Sequence, residues 1–159
     1  SSAASDVYKR QFLSHFKAEA ATEARLVQIE LEKMTGCPCF LDSDDLQDLR
    51  MLLDHVRESD VLVLLQTKGL LTRPWCLLEI REAMGMKKPI VLLQLTGPGQ
   101  RFSFDDALHL LGDLEGRMPA RNPYCIDELR NHLGDMCLTD FQEIVRAALE
   151  QGDGAAIFR

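Results

Sequence analysis

The chain has 159 residues, 46% of them apolar and 27% charged, an ordinary soluble balance and enough for one domain with a core. A formal net charge of −7 argues against a nucleic-acid or anionic-membrane surface as its main business, since those need a basic footprint. No apolar run approaches the roughly 20 residues of a membrane span, no signal peptide is read, and five irregularly spaced cysteines fit reduced thiols in a cytoplasmic protein better than a zinc pattern.

Ser5-Asp6-Val7-Tyr8-Lys9-Arg10-Gln11 resembles translated sequencing-adaptor sequence, so residues 1–11 are set aside as a non-native or disordered leader. Phe12–Phe16 predicts a short strand. Lys17–Met34 predicts a helix, with Ala20, Ala24, Val27, Leu31 and Met34 on one face and Gly36 as its C-terminal cap. Cys39–Leu41 predicts a second strand. It runs into Asp42-Ser43-Asp44-Asp45, read as a helix cap and solvated turn rather than a metal site. The helix that follows buries Leu46, Leu49, Leu53 and Val56. Asp60 leads into a third strand, Val61–Gln66.

The next segment, Thr72-Arg73-Pro74-Trp75-Cys76-Leu77-Leu78-Glu79-Ile80, opens a helix that ends near Gly85. Thr72 suits the N-cap and Pro74 the first turn, where a missing N–H costs nothing. Leu77, Ile80 and Met84 form a core-facing stripe, and Trp75 and Glu79, four apart, share one edge. Glu79 has no basic neighbour one turn away in either direction, which is unusual for a packing helix. The plain reading is a half-exposed carboxylate, solvated or paired across the fold; the functional one is a site residue. Pro89–Leu95 predicts a fourth strand, and Phe104–Leu114 and Pro123–Leu133 predict helices. Thr139-Asp140-Phe141-Gln142 reads as a capping box before a final amphipathic helix. A domain is thus expected over residues 12–151, with 152–159 as a tail, a trailing strand or the start of a linker.

Strands alternating with helices of this length predict a flavodoxin-like α/β three-layer sandwich. Its parallel sheet has the order 2-1-3-4 and a possible fifth strand, with helices on both faces. That order has its switch point between the first and third strands, where ligands bind beyond the carboxyl ends. Ser14-His15-Phe16-Lys17 leaves the first strand there, and the segment carrying Trp75 and Glu79 leaves the third at the same place.

Phe12-Leu13-Ser14-His15-Phe16, Phe40-Leu41-Asp42, Asp44-Asp45-Leu46, Ser59-Asp60 and Trp75-Cys76-Leu77-Leu78-Glu79-Ile80, in this order, resemble the TIR (Toll/interleukin-1 receptor) domain. The resemblance covers about Phe12 to Leu95. It is nearest to the plant, bacterial and axon-degeneration enzyme branch. That branch implies an NAD+ nucleosidase, which cleaves the nicotinamide–ribose bond to give nicotinamide and ADP-ribose or a cyclic ADP-ribose. It implies Glu79 as the catalytic carboxylate. Ser14, His15, Phe16, Lys17, Leu46 and Trp75 would border the substrate. NAD+ would be a substrate, with no cofactor or metal, and other TIR domains would be partners in a homo-oligomer that activates the enzyme. The chemistry is self-consistent. Nicotinamide leaves as a neutral group without a general acid, and one fixed carboxylate can stabilise the oxocarbenium character at the ribose.

The segment Asp45-Leu46-Gln47-Asp48-Leu49 departs from the family, because it lacks the basic-glycine pair usual after the second strand. This favours the alternative reading, a non-catalytic TIR scaffold acting through TIR–TIR contacts. A phospho-accepting receiver domain is disfavoured, since the first strand ends in Ser14-His15 rather than an acidic pair. A glycine-rich dinucleotide turn is absent. Lys17 is read as the only cation at the site. His55, His109 and His132 are placed in helices away from it, and Cys76 is read as a packed thiol.

Overall fold

A computed structural model describes residues 9–42 and 48–151, and the backbone of 156–158. Five strands, β1 (Gln11–Ser14), β2 (Cys39–Leu41), β3 (Val61–Gln66), β4 (Ile90–Leu95) and β5 (Ala156–Phe158), form one parallel sheet in the order β2-β1-β3-β4-β5. Phe12 pairs with Phe40 on one side and Leu62 on the other, and Leu64 pairs with Leu92. The fold is the expected flavodoxin-like α/β arrangement, and the trailing strand takes the edge beside β4.

Alternation along the strands divides the interior into two cores. Leu13, Val63, Leu65, Leu93 and Leu95 face Ala20, Ala24 and Val27 of helix α1 (Lys17–Thr35). Phe12, Leu62, Leu64 and Leu92 face the opposite way. They meet α2 (Leu49–Glu58), α3 (Pro74–Gly85), α4 (Phe104–Gly112), α6 (Cys125–Arg130) and α7 (Leu138–Gln151). The one-turn helix α5 (Leu114–Arg117) completes the set. Among the described elements α1 alone covers the first face. The chain leaves β1 through α1 and β3 through α3, on opposite faces of the sheet. This is what opens a crevice at the carboxyl ends of these two central strands.

Gly36 ends α1 as expected, in the left-handed region (φ 69°), with its N–H on Glu32 O. Several boundaries differ from the sequence reading. β1 starts at Gln11, inside the stretch set aside as a leader, and stops at Ser14. Arg10 N–H donates to Asp60 Oδ2 at 2.8 Å, and the Arg10 carbonyl accepts from Asp60 and Val61, so the strand's approach is fixed by β3. Thr72 is not the cap of α3. It lies in a one-turn 3₁₀ segment, Leu70–Thr72, where its hydroxyl donates to Gly69 O, and Arg73 takes the N-cap position before Pro74.

Thr139 likewise falls inside α7, which begins at Leu138, so the capping box is not formed. Gln142 is instead buried and accepts the Leu114 N–H at 2.8 Å, capping α5 from a distance. The cap of α2 is Asp48, whose Oδ1 accepts from Arg50 N–H, and the buried face of that helix is Leu49, Leu52 and Val56. The expectations for Asp44, Asp45 and Leu46 fall outside the described residues, as does most of the leader. No helix among the described residues is long and apolar enough to cross a membrane.

Candidate active site

Most of the side chains at the crevice sit where a strand or helix begins or ends, whereas Glu79 lies in the middle of α3. Glu19 fixes the frame: its Oε1 accepts from Thr67 Oγ1 at 2.6 Å and from Gly69 N–H at 2.8 Å, tying the first turn of α1 to the end of β3. Gln100, beyond β4, adds bonds to Glu19 O and Glu23 Oε1. Asn122 Nδ2 donates to Thr72 O at 2.8 Å, which holds the turn before α3 against the segment leading to α6. These bonds join parts of the chain some 50 to 80 residues apart at one end of the sheet.

A cavity of about 510 Å³ opens between them. His15, Phe16, Lys17 and Ala18 line it from the β1–α1 junction, and Asp42 from the end of β2. Arg73, Pro74, Trp75 and Cys76 line it from the start of α3, and Glu128 from α6. The structure therefore brings four of the expected residues, His15, Phe16, Lys17 and Trp75, to one cavity wall. Ser14 and Glu79 do not line it. Both are 0% exposed and lie behind that wall, and Leu46 is outside the described residues.

The burial of Glu79 corrects the half-exposed reading. Helix α3 is apolar almost all round, and Cys76, Leu77, Leu78, Ile80 and Ala83 are buried beside Glu79. Neither Glu79 oxygen has a hydrogen-bond partner of normal length, and neither does Ser14 Oγ. Ser14 and Asp42 are nonetheless close enough to act on the carboxyl. Burial, first, and then the Asp42 carboxylate hold the Glu79 carboxyl well above its ordinary 4.5, against a smaller opposing pull from the Ser14 hydroxyl. The Cys76 thiol is pushed up by burial, then by Glu79 and Asp42; its Sγ lies 3.7 Å from His15 O and 3.9 Å from Asp42 Oδ2. This is the packed thiol that the sequence suggested, although it also borders the cavity.

Sequence reasoning missed three residues. Arg73 is a second cation beside Lys17, with its guanidinium 4.9 Å from the centre of the Phe16 ring. Asp42 faces the site rather than capping a helix. Glu128 accepts from Trp75 Nε1 at 3.3 Å and lies 3.3 Å from His132 Nε2. His132 is thus not remote from the site: it stands in the turn after α6, one residue removed from Trp75 through Glu128. The signal for Asp42 was its place directly after β2, next to the switch point; Arg73 lay within the highlighted segment; nothing local marked Glu128.

The arrangement joins an aromatic pair, Phe16 and Trp75, with two cations, Lys17 and Arg73, over a buried carboxyl. It suits a ligand with a flat ring and anionic groups. The chain matches no protein-family model, and no curated protein matches it.

Proposed function

We propose that the chain is a TIR-like domain that cleaves the nicotinamide–ribose bond of NAD+, with Glu79 as the catalytic carboxylate. The observation that carries this reading is a fully buried carboxyl group, set against the Asp42 carboxyl and the Ser14 hydroxyl, directly behind a cavity at the switch point of the sheet. A packing helix gains nothing from such a group, and burying it beside a second carboxyl is costly. Lys17 and Arg73 suit the pyrophosphate, and Phe16 and Trp75 suit the rings. Water attacking the ribose gives ADP-ribose; attack by an adenine nitrogen gives a cyclic product.

Glu79 acts in this scheme only once it faces the cavity, which requires Asp42 to turn aside. The positively charged nicotinamide riboside then favours ionisation of Glu79, because a nearby cation lowers a carboxyl pKa. Self-association is the proposed trigger for that rearrangement. The second reading, a TIR-like scaffold that binds its own kind without catalysis, draws on the complete burial of Glu79.

The test is nicotinamide release from NAD+ at high protein concentration, beside Glu79→Gln. Release by the parent chain that disappears in the variant supports the enzyme. No release from either, even when the domain is forced to cluster, leaves the scaffold reading.

A further inference from the structure

We propose that Asp42, Cys76 and Glu79 form a binding site for a thiophilic divalent cation of the Zn2+ class. One ligand atom from each residue lies within 4.8 Å of the others. Cys76 Sγ and Asp42 Oδ2 are 3.9 Å apart. A tetrahedral zinc with bonds of ~2.3 Å to sulfur and ~2.1 Å to oxygen needs about 3.6 Å between those atoms. The Cys76–Asp42 pair is therefore within about 0.3 Å of ligating separation, and no pair in the set needs to close by more than about 1.4 Å.

Burial distinguishes this cluster from an ordinary acidic patch. Cys76 is 2% exposed and Glu79 0%. A second observation points the same way. The Ser14 hydroxyl, also 0% exposed, makes no hydrogen bond of normal geometry and lies close enough to act on both Cys76 and Glu79. Two buried acidic donors, the partly buried Asp42 carboxyl and a hydroxyl thus converge at the edge of the cavity. A cation would compensate the buried Glu79 carboxyl and give the Ser14 hydroxyl a charged neighbour.

The donor set chooses the metal. Two carboxylates alone would suit Mg2+ or Ca2+, but the sulfur ligand favours Zn2+ or Co2+. The thiol enters as thiolate, its proton leaving to solvent. Asp42 and Cys76 both line the cavity, so an ion has a path in, and a water can hold the fourth position. Binding stands on this cluster alone. Its consequence, that Zn2+ engages Glu79 and silences nicotinamide release, rests on the NAD+ reading.

The test is titration of the metal-free protein with Co2+ in a Cys37→Ser/Cys137→Ser background, which removes the two thiols that are not buried. The expected result is one Co2+ per chain with tetrahedral absorption and a thiolate-to-cobalt charge-transfer band. Zn2+ should displace it, and a hundredfold excess of Mg2+ should not. Cys76→Ser should abolish the band, and Asp42→Asn should weaken binding by at least the ~10-fold lost with an outer-shell partner. Circular dichroism checks that each variant folds. Absence of the band in the parent chain, or its survival in folded Cys76→Ser, overturns the site. Should Cys76→Ser not fold, an unchanged affinity in Asp42→Asn overturns it instead. A normal cobalt spectrum in a protein whose metal-free form releases no nicotinamide, even when clustered, would sink the NAD+ reading and leave the metal site standing.

Discussion

Trp75 Nε1 donates to Glu128 Oε1 at 3.3 Å, and the same oxygen lies 3.3 Å from His132 Nε2, so α6 is tied to the first turn of α3 along one side of the cavity. Trp75 is the only tryptophan in the chain, so its emission reports on this wall alone. Glu128→Ala should shift the emission to the red, as the indole loses its acceptor and gains water. A single partly exposed hydrogen bond contributes about 0.5–1.5 kcal/mol, so the stability loss should be of that order. In the parent chain NAD+ should quench the emission saturably. An unchanged spectrum in Glu128→Ala would mean that the bond does not hold the indole.

Glu79 gives a pH prediction with a definite sign. Its carboxyl is held well above 4.5 in the folded state by burial and then by Asp42, so the folded protein binds that proton more tightly than the unfolded chain does. The stability this contributes is complete below the unfolded value and is lost as pH rises through the raised folded value. Glu79→Gln keeps the shape but cannot ionise. The two proteins should show the same trend near pH 4, and the variant should gain on the parent chain toward alkaline pH. Urea midpoints measured with a chelator present, from about pH 4 to about pH 9, check this. Parallel pH profiles would show that Glu79 ionises at no cost to the fold.

The parts of this molecule legible in the sequence are those governed by local periodicity. The apolar run Val61–Leu65 has the length of a buried strand, and the spacing of Ala20, Ala24 and Val27 gives α1 its buried face. From these follows the strand order, and from that order the meeting of Phe16 with Trp75. Glu79 stood out because its helix offers it no partner. Its full burial did not, since that depends on α2, α6 and α7 packing against α3 and on the ends of β1 and β2 closing over Glu79, and such packing leaves no periodic trace in α3 itself. Glu128 was invisible for a related reason: it reaches Trp75 across 53 residues from a six-residue helix. Thr72 and Thr139 misled because a good capping residue can be engaged elsewhere: Thr72 bonds to Gly69 within a tighter turn, and α7 starts one residue before Thr139.

Gly69 controls the shape of the cavity without touching it. A Cβ there would meet Phe16 Cε2 at 2.9 Å and Phe16 Cδ2 and Glu19 Oε2 at 3.0 Å, closer than packed atoms tolerate. The two residues it would displace have roles. Glu19 holds the first turn of α1 to Gly69 N–H and Thr67, and the Phe16 ring lies under Arg73. Gly69→Ala should therefore move the ring and weaken the Glu19 bonds together. Overpacking of this kind costs about 1–3 kcal/mol. The stiffer unfolded chain returns about 0.4–1 kcal/mol, leaving a net loss of up to about 2.6 kcal/mol. The backbone at Gly69 is not in the left-handed region, so the loss would come from crowding alone. Smaller Phe16 should relieve it: the double variant Gly69→Ala/Phe16→Leu should lose less than the two single changes added together. Urea unfolding of the four proteins gives the coupling directly. Strict additivity would show that the new methyl is accommodated without pressing on the ring, and that Gly69 does not set where Phe16 stands.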